Sequence, residues 1–144
     1  MVEYEKALLD RFLAAQEQHY ERALDELNKG QKESHWMWFI FPQLQGIGYS
    51  PVTRHYAISG IDEAAAYLSH PVLGQRLLEC FKTVLAIEGK AAIDIFGTPD
   101  DKKLHACSTL FAHISDADSV FEKTIDKYFK GEKHASTMRI LVGD

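Results

Sequence analysis

Only two cysteines, four prolines and nine glycines interrupt this chain of 144 residues, and cations are in deficit. Cys80 and Cys107 lie inside helical apolar patterns with no CxxC-type spacing. Such residues in a reducing compartment are expected to be small buried hydrophobes, not a disulfide framework. Lys and Arg number 16 against 21 Asp and Glu, a net charge of −5. Proteins that coat nucleic acid need a basic excess to neutralise phosphates, so DNA binding is not expected, although a local anion site remains open. No apolar run approaches the ~18 residues of a membrane span. The N-terminal Met1–Lys6 has no basic-then-apolar signal layout. The expectation is a cytoplasmic protein in contact with neither DNA nor membrane.

What the chain does have is an ordinary globular composition, 46% hydrophobic and 26% charged. At this length folding buries roughly 70% of the surface that the unfolded chain exposes, so no cofactor or metal staple is needed to complete a core. Residues 4–29 place Tyr4, Leu8, Phe12, Ala15, Tyr20, Ala23, Leu24 and Leu27 at helical spacing, with Lys29-Gly30 as the stop; one long helix and two consecutive ones both fit. His35–Phe41 is apolar on every side and Pro42 ends it. With no second strand signal to pair with, it is read as a short buried helix, followed by a loop over 42–52. Further starts are read at Ser59-x-x-Asp62, at Pro71, at Thr98-Pro99 with Thr98 as cap, and at Ser115-x-x-Asp118. The intervening helices are expected to bury Leu73, Leu77, Cys80, Phe81, Val84 and Leu85, then Leu104, Cys107, Leu110, Phe111 and Ile114, then Val120, Phe121, Ile125, Tyr128 and Phe129. A last one carries Met138, Ile140 and Leu141. The fold class is therefore all-α, a compact single-domain bundle of roughly seven to nine helices over residues 1–144.

The string Ser34-His35-Trp36-Met37-Trp38-Phe39-Ile40-Phe41-Pro42-Gln43-Leu44, followed by Gly46-x-Gly48-x-Ser50, resembles the signature of the bacterial domain-of-unknown-function family numbered 1810. Arg11-Phe12, Ala15-Gln16, Tyr56-Ala57-Ile58, Ala66-Tyr67-Leu68-x-His70-Pro71-x-Leu73-Gly74, Phe96-Gly97, Asp101-x-Lys103-Leu104 and Thr109-Leu110-Phe111 extend the likeness over nearly the whole chain. It departs at His105-Ala106-Cys107-Ser108, where the family more often shows a serine pair with methionine. The resemblance implies a compact helical fold, bacterial origin and no assigned activity. The calpastatin label that some members carry is at odds with this composition, since calpastatin inhibitory segments are disordered and polar.

One cluster carries recognisable binding chemistry: Lys32, His35, Trp36, Trp38, Gln43, Arg54, His55 and Tyr56. Aromatic faces with ammonium, imidazole and guanidinium groups can hold a planar anionic, nucleotide-like small molecule, and the Gly46/Gly48 turn lets backbone approach it. The competing reading places the tryptophans in the core with His35 bonding a buried carbonyl. Lys103 and His105 near a helix start suggest either an anion seat or plain capping. The seven histidines show no HExxH or His-x-x-x-His pair. His113-x-x-Asp116-x-Asp118 reads better as a helix junction, so no metal is expected. Ser34, Cys107 and Ser108 lack a nucleophile elbow. Two functional classes stand side by side: a small-molecule domain, or a protein–protein or homo-oligomer module built on exposed aromatics.

Overall fold

The computed structural model describes residues 3–143, with side chains from Ala7 onward. Nine helices run through the described residues: α1 (Glu3–Lys29), α2 (Met37–Ile40), α3 (Pro51–Tyr56), α4 (Ile61–Ser69), α5 (Leu73–Ala86), α6 (Ala92–Phe96), α7 (Asp100–His113), α8 (Val120–Phe129) and α9 (Ala135–Val142). The N-terminal segment is one continuous helix. It stops where expected: Gly30 takes φ +77, its N–H donates to Leu27 O, and the next N–H, of Gln31, reaches Glu26 O. Tyr4, named among its apolar positions, lies outside the described side chains, as do Met1 and Val2 entirely.

Helix α7 is the centre. Every residue from Ala106 to Ala112 is buried, as a helix surrounded by others requires, and its hydroxyls turn inward: Ser108 Oγ donates to Leu104 O at 2.7 Å and Thr109 Oγ1 to His105 O at 2.9 Å. Around it pack α4, α6, α8 and α9, while α5 bridges α8, α1 and α4. The buried apolar side chains form one cluster in which Phe81 meets Phe121 (4.8 Å between rings) and Phe41 (5.2 Å) edge-on. Helices α4 and α5 approach so closely that a Cβ on Gly74 would lie 1.9 Å from Leu68 O; only glycine fits there. Between α2 and α4 the chain makes a single parallel bridge, Leu44 to Ile58, in which Ile58 N–H donates to Gln43 O and Gln45 N–H to Ile58 O.

Several helix starts differ from the local sequence reading. Thr98 is not a cap: α7 begins at Asp100 with Pro99 in the cap position, and its first N–H groups are already taken by backbone, Asp101 by Gly97 O and Lys102 by Pro99 O. Helix α8 is capped by Ser119, whose Oγ accepts from Glu122 N–H at 3.2 Å, not opened by Ser115. Helix α4 starts at Ile61 behind Gly60. The Ser59 N–H donates instead to Glu63 Oε1 at 2.7 Å. Pro71 sits two residues ahead of α5, whose first N–H groups, Val72 and Leu73, are received by His70 Nδ1. Pro51 begins α3 as its first residue behind a Ser50 cap, so the loop is shorter than expected. On α9, Ile140 is 47% exposed while Thr137 is fully buried.

These assignments are checked by urea denaturation. Ser119→Ala is expected to cost about 1 kcal/mol, the usual loss of a cap oxygen, and Thr98→Ala less than about 0.5 kcal/mol. Equal losses would mean that Thr98 caps α7 after all.

Candidate functional site

Helix α1 carries three polar side chains that the rest of the chain wraps. The Arg11 guanidinium donates to His55 O (2.8 Å), Ala57 O (2.8 Å) and Leu8 O, and pairs with Glu63 at 2.9 Å. It thus ties the end of α3 and the start of α4 to α1. Gln16, 2% exposed, donates from Nε2 to Phe39 O (2.7 Å) and to the buried Tyr67 hydroxyl (3.0 Å), while Arg76 donates to its Oε1. Glu26, 5% exposed, accepts four hydrogen bonds: Glu33 N–H at 2.7 Å, Ser34 N–H at 2.9 Å, Ser34 Oγ at 2.6 Å and the Trp36 indole N–H at 2.9 Å. Burial alone would raise its pKa, but the donors, Ser34 Oγ foremost, outweigh it and hold the carboxyl at about 2.

That clamp decides where the first part of the expected cluster goes. Trp36 is fully buried with its N–H on Glu26. Lys32 rests over the Trp36 ring, its Nζ 5.0 Å from the centroid, and pairs with Asp100 at 2.9 Å. Lys103 does the same from α7, 5.0 Å over the half-buried Trp38 and 3.5 Å from Asp100. Two cation–aromatic pairs therefore share one carboxylate, and Asp100 stands where a ligand's anion would have to go. Trp38, Gln43 and Tyr56 line a crevice with Phe41, Thr53 and Lys103 of about 10 Å³, room for one water at most. His35 and His55 are exposed; the His55 ring meets Tyr56 edge-on at 4.6 Å.

Arg54 lies apart from these. It is exposed, has no hydrogen-bond or ion-pair partner for its guanidinium among the described residues, and opens on a cavity of about 310 Å³ shared with Gln45, Gly46, Gly48, Tyr49 and Ala57. The turn that borders it requires glycine, since Gly46 holds φ +97. The N–H groups of Gly46, Gly48 and Tyr49 have no acceptor among the described residues. Tyr49 is 73% exposed. The structure thus divides the eight residues among an interior cluster, a closed crevice, an open corner and free surface.

Elsewhere, a groove of about 640 Å³ runs between Leu68, Leu78, Leu85, Ile114, Val120 and Phe121. His105 stacks on Phe129 at 4.0 Å and meets His134 edge-on at 5.3 Å. Both cysteines are buried; burial pushes the Cys80 thiol up to about 12 and Cys107 well above its usual value. Among the described residues no group of three or more His, Cys, Asp or Glu could hold a metal, and no helix is long and apolar enough to cross a membrane. Sequence reasoning gave no role to Glu26 and Glu63, and placed Arg11 and Gln16 in the family likeness without a role. The available signal was register: Gln16 follows Phe12 by four and Glu26 follows Ala23 by three, so both fall on the buried stripe.

Residues 6–141 match the family described as a protein of unknown function (DUF1810). No curated protein matches the chain. Among solved structures, the crystal structure of the conserved hypothetical protein Rv1873 from Mycobacterium tuberculosis is similar with a TM-score of 0.91 and 45% identity, over 92% of this chain and 95% of that one.

The Glu26 clamp generates an expectation. Glu26→Gln replaces an ionised acceptor by an amide that cannot receive all four donors, and should cost about 3 kcal/mol in urea denaturation. Because the folded carboxyl is depressed to about 2 from 4.5, the stabilisation it gives is present above about pH 4.5 and lost as pH falls toward 2. Stability of the wild type should fall over that window and that of Glu26→Gln should fall less. A variant as stable as wild type at pH 7 would contradict the clamp.

Proposed function

This chain belongs to the DUF1810 family of proteins of unknown function, and on that premise we propose that it is a small-molecule domain. Its anionic ligand binds at the corner of Gly46, Gly48, Tyr49 and Arg54. The observation that carries the reading is the unpartnered Arg54 guanidinium beside backbone N–H groups that donate to no described acceptor, around one open cavity of about 310 Å³. A guanidinium fork and free backbone N–H groups are the donors that phosphate and carboxylate sites use. The volume falls at the small end of ordinary ligand sites. Tyr49 adds an exposed aromatic face against which a planar base can stack, worth about 1–3 kcal/mol where such stacking is measured. Phosphate-bearing nucleotides and sugars are accordingly the class to test.

Of the eight residues first raised, Arg54 is the one on this corner. Lys32 over Trp36 and Lys103 over Trp38 both pair with Asp100, and Gln43 and Tyr56 border a crevice too small for a ligand. A protein–protein role draws support from a different place, the leucine-lined groove of about 640 Å³ between α5 and α8. It draws none from the tryptophans, one buried and the other beneath Lys103.

Thermal denaturation in the presence of inorganic phosphate, AMP and glucose 6-phosphate tests the proposal. A ligand at a hundred times its Kd stabilises by about 2.7 kcal/mol and raises Tm by several degrees. Arg54→Ala should retain the unliganded Tm and lose the shift. Arg54→Lys should retain only part of it, because an ammonium cannot form the two-pronged contact. No shift with any of the three, or an equal shift in Arg54→Ala, would overturn the assignment.

A further inference from the structure

Helix α9 is seated by two histidines. His134 is its cap residue: Nδ1 accepts from Thr137 N–H at 3.3 Å and lies 2.9 Å from Thr137 Oγ1, and its own N–H donates to Thr109 Oγ1 of α7 at 2.9 Å. Its ring stands edge-on to His105 at 5.3 Å, and His105, stacked on Phe129, donates from Nε2 to Glu132 O at 2.6 Å. A cap that accepts through an imidazole nitrogen differs from a serine or aspartate cap in one respect. A proton on Nδ1 converts the acceptor to a donor and sets a positive charge at the positive end of the helix. We propose that α9 is an acid-released latch: protonation of His134 breaks its cap, and the adjoining His105 cation repels it, so that the helix leaves its seat on α7.

The surroundings offer little compensation. From the segment before α9 the pair faces Glu132, while Lys133 is engaged with Glu122 of α8 at 3.8 Å. Asp101 and Lys102 precede His105 by one turn on α7, and Arg139 on α9 is itself partnered. Burial lowers both histidines below the usual value. The neighbouring His105 lowers His134 further, whereas the Glu132 carbonyl and carboxylate draw His105 part of the way back. The seat is therefore complete above about pH 6.5 and weakens as pH falls through the lowered values.

Release has a destination. A Cβ built on Gly46 would lie 3.2 Å from Ile140 Cδ1, so α9 backs the very turn that borders the Arg54 corner. Loss of α9 frees that turn, and in this respect α9 regulates the anion site, a consequence that rests on the binding reading above.

Amide hydrogen exchange and histidine NMR titration of the ligand-free protein test the latch without reference to any ligand. Between about pH 7.5 and pH 5, protection of the Met138–Gly143 amides, corrected for intrinsic rates, should fall about tenfold while that of α8, which Ser119 caps, is unchanged. The midpoint should coincide with the His134 Cε1–H titration, and the Gly46 amide shift should follow it. His134→Asn, a capping residue that does not titrate, should keep α9 protected at both pH values. If wild-type α9 stays protected at pH 5, or if its loss occurs equally in His134→Asn, the latch is refuted. A Gly46 amide that does not move with His134 refutes the coupling to the corner.

Discussion

The fold depends on one buried carboxylate. Glu26 is placed by α1 among apolar neighbours, where an isolated charge would be very costly, and it is ionised there because four donors converge on it. Those donors are the groups that most need an acceptor: two backbone N–H groups of a segment with no regular structure, a serine hydroxyl, and an indole N–H in the middle of the core. The same contact that neutralises the cost of burying Glu26 fixes the path of residues 31–36. It thereby seats Trp36, sets Lys32 over its ring, and brings Lys32 to Asp100 at the head of the central helix.

Arg11 and Gln16 extend the same logic along α1. Each uses a side chain with several donors to hold carbonyls at the ends of short helices, at residues 55 and 57 at the end of α3 for Arg11 and at residue 39 in α2 for Gln16. The Tyr20 hydroxyl and Asp101 Oδ1 are buried without a partner among the described residues, but most of the chemistry that suggested a ligand site is used in holding the structure together. What is left over is informative for that reason. Among the described residues Arg54 is neither buried nor paired, and it stands at a turn whose conformation glycine makes accessible and whose Gly46, Gly48 and Tyr49 N–H groups meet no acceptor. The corner is built within residues 45–57, and α9 touches it only where Ile140 packs behind Gly46.

Much of the fold was legible because helical spacing reports burial directly. Leu73, Leu77, Cys80, Phe81, Val84 and Leu85 read as one stripe, and all but the half-buried Leu85 at its edge are buried. The stop at Gly30 was legible for an equally local reason. The starts were not, because two Ser-x-x-acid patterns follow one another at Ser115 and Ser119, and only the packing of Phe121 against Phe81 and Phe111 selects the register that makes Ser119 the cap. The tryptophan string was legible as a cluster but not as a site or a core. That choice belongs to Asp100 and Glu26, which lie 64 residues after and 10 residues before Trp36 in sequence. Long-range acceptors of this kind leave no periodic signal. A polar side chain on an apolar stripe, as at Gln16, is the nearest thing to one.

The central claim is that Glu26 holds a segment without regular secondary structure as firmly as the core. Native-state hydrogen exchange at the Glu33 and Ser34 amides measures this directly. Both donate to the buried carboxylate, so both should exchange only on global unfolding, at rates matching the slowest amides of α7. Exchange at rates typical of an exposed loop, with α7 still protected, would show that the carboxylate does not clamp the segment, and the account of how α1 organises the fold would fail.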